Sequence, residues 1–413
     1  MSKEISTYDN SVSLNDSSST DQSHKFIFQI VGAVAFAHLL NDSIQAVVSA
    51  SYPMLKSEFS LTFTEIGWIA LVYQITASLL QPWIGFYTDK YPKPYLLPMG
   101  MVVTLVGIGL MAIAGNFYTL LVAAALIGVG SSTFHPEASR IARMASGGRF
   151  GTAQSMFQVG GNSGSAMGPL MAALIVIPNG QAAIGWFVLV AGLAVLVLLR
   201  VTQWVLKQQT LSKQKNSKPI ISSLSRHQII QAMVVISILM FAKFIYIASI
   251  TNYFTFYMIE RFQLSVQSSQ LYLFIFLGSV ALGTFAGGPV GDRIGRKAVI
   301  WASFLGVAPF ALILPHANLF WTAILTIVIG LVMSSAFSAL VVYAQEAAPG
   351  RVGMIAGLMF GLMFGISGIG AAGLGHLADT HGIVWVYNFC AFLPLLGFVT
   401  AFLPNTTRIK LTK

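Results

Sequence analysis

Through most of this chain the apolar residues run on unbroken instead of alternating with polar ones. A helix that crosses a bilayer needs roughly 20 mostly apolar residues. Twelve stretches meet that demand: 27–50, 64–86, 95–114, 118–141, 152–177, 183–206, 229–257, 268–290, 297–315, 319–342, 353–377 and 384–403. Strands of a membrane barrel would alternate in polarity over about ten residues. These runs are continuous and longer, so they predict helices, and several abut so closely that neighbours must pack as hairpins. The pattern predicts an all-α membrane protein with twelve transmembrane helices.

Composition agrees. Only 9% of the 413 residues are charged and 55% are hydrophobic, whereas a soluble domain carries about 25% charged residues. Such a chain cannot clothe itself in a solvated surface and needs the bilayer as solvent. Residues 1–24 differ: rich in Ser, Asp and Asn, they read as a disordered tail. They lack the apolar core of a signal peptide, so the first helix is expected to direct insertion. A single cysteine, Cys390, leaves no intramolecular disulfide to form.

The net charge of +10 speaks of orientation and not of nucleic acid. With the N-terminus in the cytoplasm, 20 of the 23 Lys and Arg fall in cytoplasmic segments. Lys56 and Arg261 fall outside, and Lys243 lies within a span. The positive-inside rule then places both termini in the cytoplasm. The longest loop, 207–228, carries Lys207, Lys213, Lys215, Lys218 and Arg226 and is expected to link two six-helix bundles, 25–206 and 229–405, before a short tail, 406–413.

The two halves repeat. Phe36-Ala37-His38 answers to Phe241-Ala242-Lys243, Phe59-Ser60-Leu61 to Phe262-Gln263-Leu264, and the segment Gly85 to Asp89 to Gly288 to Asp292. Ser131 to Phe134 answers to Ser334 to Phe337, and Gly148 to Gly151 to Gly350 to Gly353. The offsets are 205, 203, 203, 203 and 202. Such regularity implies duplication, and six helices per copy give both copies one orientation. Parallel repeats with a substrate site at their interface describe one group of secondary transporters.

After the eighth stretch stands Gly288-Pro289-Val290-Gly291-Asp292-Arg293-Ile294-Gly295-Arg296-Lys297, and after the second its degraded copy, Gly85 to Pro94. Glycines let helices approach, and an Asp can accept hydrogen bonds at a neighbouring helix N-terminus and pair with nearby basic residues. Gly85, Asp89, Arg140, Gly288, Asp292, Arg293, Arg296 and Lys297 are thus the expected parts of a cytoplasmic gate. In the fifth stretch Gly160, Gly164 and Gly168 line one face ahead of Pro169. The Gly288 to Lys297 motif resembles the signature of the major facilitator superfamily. The stretches His38 to Asp42, Gln81 to Gly85, Phe134 to Glu137, Arg143 to Arg149, Gly287 to Asp292 and Tyr343 to Glu346 resemble the fosmidomycin resistance protein family. The resemblance covers about residues 26–405 and implies efflux of an anionic phosphonate drug in exchange for protons.

Charged groups inside a span are expensive and mark function by default. His38, Asn41, Asp42 and Gln45 lie at i, i+3, i+4 and i+7 of the first span, one polar stripe. Lys243 sits in the middle of the seventh span with Tyr246 a turn away. His135, Glu137 and Arg140 close the fourth, and Gln345 and Glu346 the tenth. In one reading Lys243 attracts an anionic substrate while Asp42 or His38 carries the proton, with Lys243 shared between Asp42 and substrate. In the other, Asp42 and Lys243 form a static pair. Glu137 and Glu346 could be satisfied by Arg140 or Arg351. No P-loop, nucleophile elbow or metal-ligand cluster is expected, since the seven histidines are scattered, and no cofactor or obligate protein partner. The expected partners are a small anionic drug, protons and lipid, with proton-driven uptake of an organic anion, or ligand sensing without transport, as the alternatives.

Overall fold

The computed structural model describes residues 26–61, 63–214, 224–264 and 266–404; the expected N-terminal tail, the last tail and the middle of the linker lie outside them. Among these residues every regular element is helical. The first half comprises α1 (Phe28–Ala50), α2 (Phe63–Lys90), α3 (Leu96–Ala112), α4 (Phe117–Met144), α5 (Phe150–Met171) and α6 (Phe187–Gln214). The second comprises α7 (Arg226–Phe262), α8 (Val266–Ile294), α9 (Arg296–Leu305), α10 (Leu319–Ala347), α11 (Val352–His381) and α12 (Ile383–Cys390), with α9 and α12 each extended by a further short helical segment. Ten of these segments are long and apolar enough to cross a membrane. The remaining two are α3, at 17 residues, and α5, whose Gln154, Gln158 and Asn162 serve the interior.

The helices outrun the apolar stretches that predict them. α2 continues to Lys90 and α8 to Ile294, so both acidic motifs sit on the last helical turns and not in loops. α6 likewise runs to Gln214 and α7 starts at Arg226, which shortens the expected linker from both sides. A backbone leaving the bilayer keeps its hydrogen bonds most simply by staying helical.

The repeat is written into the turns. Among the described residues the non-glycine positions with positive φ are Ser60 at 52° and Gln263 at 55°, 203 positions apart. Asn116 caps α4 by accepting from Thr119 N at 3.0 Å, and Asn318 caps α10 from Trp321 N at 3.0 Å. The motif turn is where the copies part: Gly295 takes φ 101°, which Pro92 at the equivalent place cannot adopt, since its ring holds φ near −65°.

Within each half α1 lies along α5, α2 along α4, and their counterparts α8 along α10 and α7 along α11. Between halves α2 packs on α11, and α5 on α8. One apolar core joins both halves at the end where α6 finishes and α7 begins, called here the linker end; it runs through Phe134, Phe157, Phe337 and Phe360. A separate core, with Ile250, Phe254, Tyr257 and Tyr387, serves the second half at the far end. Gly365 and Gly368 of α11 face open space. The halves are thus closed on each other at the linker end and parted beyond it. Outward-facing apolar side chains such as Trp83, Phe274 and Leu196 form the surface offered to lipid.

Candidate functional site

The polar stripe of α1 turns inward, against α4 and α5. His38 is fully buried, and its ring lies on Phe157 with centroids 4.1 Å apart. Its Nδ1 is 2.7 Å from the Phe157 carbonyl. A carbonyl only accepts, so Nδ1 carries a proton. Nε2 then faces Asp42 Oδ2 at 3.3 Å. Nε2 makes no hydrogen bond, so the two titratable groups stand as a close contact that one proton would bridge. Asn41 Nδ2 donates to Asp42 Oδ1 at 2.9 Å. His135 Nε2, from α4, makes no hydrogen bond and stands 3.9 Å from the same oxygen. Gln45 Nε2 donates to Ser131 Oγ at 2.8 Å, and Tyr73 OH to Gln45 Oε1. The second half contributes aromatic rings here: Phe360 and Phe364 lie 4.8 and 5.5 Å from the His135 ring.

Two expectations change. Histidines scattered along the chain are not scattered in space: His38, Asp42 and His135 offer ligand atoms all within 4.8 Å of one another, because α1 and α4 meet at that depth. The pairing of Asp42 with Lys243 does not form either. Lys243 is buried, but its Nζ donates to the Met333 and Ser334 carbonyls of α10 at 3.0 and 3.4 Å, with the rings of Phe244 and Phe337 each 5.7 Å away. Among the described residues its charge meets no carboxylate. α1 turns Asp42 toward α4, whereas α7 turns Lys243 toward α10, so each charge is held within its own half. Tyr246 points into the far-end core, its hydroxyl without a hydrogen bond.

At the linker end the acidic motifs clasp opposite halves. Asp292 accepts from Gly151 N at 2.9 Å, Thr152 N at 2.8 Å and Thr152 Oγ1 at 2.6 Å, the first turn of α5. Asp89 accepts from Gly353 N and Met354 N, both at 2.9 Å, the first turn of α11. Backbone donors and the positive end of the helix dipole favour a carboxylate there. Gly85 and Gly288 allow the approach: a Cβ on Gly85 would lie 2.1 Å from the Gly353 carbonyl oxygen, and one on Gly288 would lie 2.2 Å from that of Gly151.

The second copy is the fuller one. Arg296 pairs with Asp292 at 2.7 Å and Glu346 at 3.3 Å, so Glu346 meets Arg296 in place of the expected Arg351. Arg140 pairs with Glu137. Gln345 spans the halves, accepting from Arg143 at 3.3 Å and donating to Ser139 at 3.1 Å. Lys297 is bonded to the Leu403 carbonyl at 2.6 Å, which closes the end of the twelfth span and stands apart from the clasp. Arg293 is exposed. Sequence reasoning passed over Ser139, Thr152, Asn162 and Thr284, the last two bonded across the halves at 3.1 Å. The Gly-Arg-x-Gly repeats did mark the two helix starts that receive the acids.

Two parallel six-helix halves, clasped at one end around buried titratable groups, define a secondary transporter. The sequence profile of the Major Facilitator Superfamily matches residues 34–280 and 239–412, and the chain belongs to that family. Within it the chain is 57% identical over 378 residues to the fosmidomycin resistance protein of Escherichia coli strain K12, covering 92% of this chain and 93% of that one. It is 43% identical over 389 residues to the uncharacterized transporter YfnC of Bacillus subtilis strain 168, covering 93% and 95%. Among solved structures the fold matches the superfamily transporter FucP in its outward conformation, at TM-score 0.69, 14% identity and coverage of 91% and 99%. It also matches the human organic anion transporter MFSD10 at TM-score 0.70, 15% identity and coverage of 90% and 99%.

Proposed function

We propose that this protein exports fosmidomycin-like anionic drugs across the bacterial inner membrane in exchange for protons, by alternating access, with both termini in the cytoplasm. The likeness to the fosmidomycin resistance protein supports the cargo and the direction. The observation that carries proton coupling is the His38–Asp42 contact, an imidazole and a carboxylate 3.3 Å apart inside a span, where gain or loss of one proton changes the net charge. Lys243 is the cation that meets the anionic group, because an unpaired charge entering such an interior is strongly unfavourable. Since Lys243 and Asp42 have separate partners, drug and proton do not compete for one ion pair. Each instead biases the same opening and closing of the two halves, a coupling carried by differential affinity for two states. Asp89 and Asp292 hold the cytoplasmic side shut in one of them. Everted vesicles energised to acidify their lumen and reporting pH by dye provide the test. Fosmidomycin should relieve the internal acidity; a response in the opposite sense would mean symport, and silence a protein that does not couple drug to protons.

A further inference from the structure

We propose that Gly161 is the positioning residue of the His38–Asp42 pair: bare backbone at this point of α5 is what lets His38 Nε2 meet Asp42 Oδ2. The inference deepens the proton-coupled reading and rests on it for its functional consequence.

A Cβ on Gly161 would stand 2.4 Å from both Cε1 and Nε2 of His38 and 2.8 Å from Asp42 Oδ2. Its neighbours on the glycine stripe do something else. A Cβ on Gly160 would meet the Ala35 carbonyl oxygen at 2.0 Å, and one on Gly164 the Leu39 carbonyl oxygen at 2.3 Å. Those two set the spacing of α5 against the α1 backbone. Gly161 alone of this group abuts the titratable side chains.

The imidazole cannot step aside. One face is stacked on Phe157, Nδ1 is tied to the Phe157 carbonyl at 2.7 Å, and the His135 ring stands against it with centroids 5.1 Å apart. Asp42 is tied in turn by Asn41. A methyl group at position 161 therefore drives Nε2 and Oδ2 beyond their 3.3 Å separation, and a proton arriving there no longer finds both atoms within reach. Phe157 and Gly161 are one turn apart on α5, so a single patch of that helix both ties the ring and makes room for it.

The test uses the purified full-length chain with fosmidomycin as probe. In proteoliposomes Gly161→Ala should lose drug-evoked proton release to background while keeping fosmidomycin counterflow, which needs no net proton movement. Gly160→Ala should instead depress expression and melting temperature, since it presses on backbone. A melting cycle over wild type, Gly161→Ala, His38→Ala and the double variant reads the contact without any transport. Gly161→Ala should lower the melting temperature of the wild type and leave that of His38→Ala unchanged, because deleting the imidazole makes room for the methyl. If Gly161→Ala alone does not fold, recovery of folding in the double variant reads the same contact. Wild-type proton release in Gly161→Ala overturns the proposal, as does a loss of melting temperature equal in both backgrounds. A wild type that releases no protons with fosmidomycin refutes the proton-coupled reading, and the melting cycle still decides on Gly161.

Discussion

Asp292 and Asp89 occupy equivalent places and do unequal work. Asp292 has two backbone amides, a hydroxyl and the Arg296 guanidinium; Asp89 relies on two amides. The difference traces to Pro92, which cannot make the left-handed turn that starts α9 at Gly295 and brings Arg296 back over the acid. Losing one charge-assisted bond costs about 2 kcal/mol, roughly a thirtyfold change in the closed population. Asp292→Asn should therefore slow drug transport in vesicles with expression intact, and Asp89→Asn should slow it less; equal turnover in all three proteins would reduce the motifs to topological signals. Lys243→Met keeps the length of the side chain and removes its charge. It should fold and lose the rise in melting temperature that fosmidomycin gives the wild type, and an unaltered rise would remove the lysine from the site. The clasp was legible in advance because an acid after glycines, with basic residues following, has few other uses at a helix end. The partner of Asp42 was not: helical spacing tells which residues share a face, but not which neighbouring helix that face meets.

At the scale of helices, close approach is bought with glycine. Gly85 and Gly288 let α2 and α8 touch the starts of α11 and α5 with no side chain between. Gly288→Val should wedge the linker end open, because its nearest neighbours are the Ser155 hydroxyl and the Gly151 carbonyl. The check is a cysteine placed at Ser155, buried in the closed form. It should react with a thiol reagent from the linker side in the Gly288→Val background and stay protected without it. Native Cys390 is itself buried and gives little background. Twelve helices, their order and their doubling were readable because a membrane span needs length and continuity, which a sequence displays directly. The ends of α2, α6 and α8 were not, since a helix held by its own backbone bonds and by the opposite half need not stop where apolar residues do. Nor was the passage of α5 into a wider π turn at Ala172–Val176, which no residue pattern announces.

In the whole molecule the two clasps are reciprocal. The first half gives Asp89 to α11 and takes Asp292 at α5; exchanging the halves reproduces the arrangement. That is the geometry of a two-fold dimer, in which one patch serves both partners. It implies that the two clasps would hold the halves together without a covalent connection between them. A gene cut within 207–228, with the two fragments expressed together, should yield a complex that copurifies and confers drug resistance. Either fragment alone would present one unmatched carboxylate and one bare helix start, and should be degraded. Resistance restored by two independent messages, and by neither singly, would mark this transporter as an assembly of two six-helix proteins that happen to be translated in one piece.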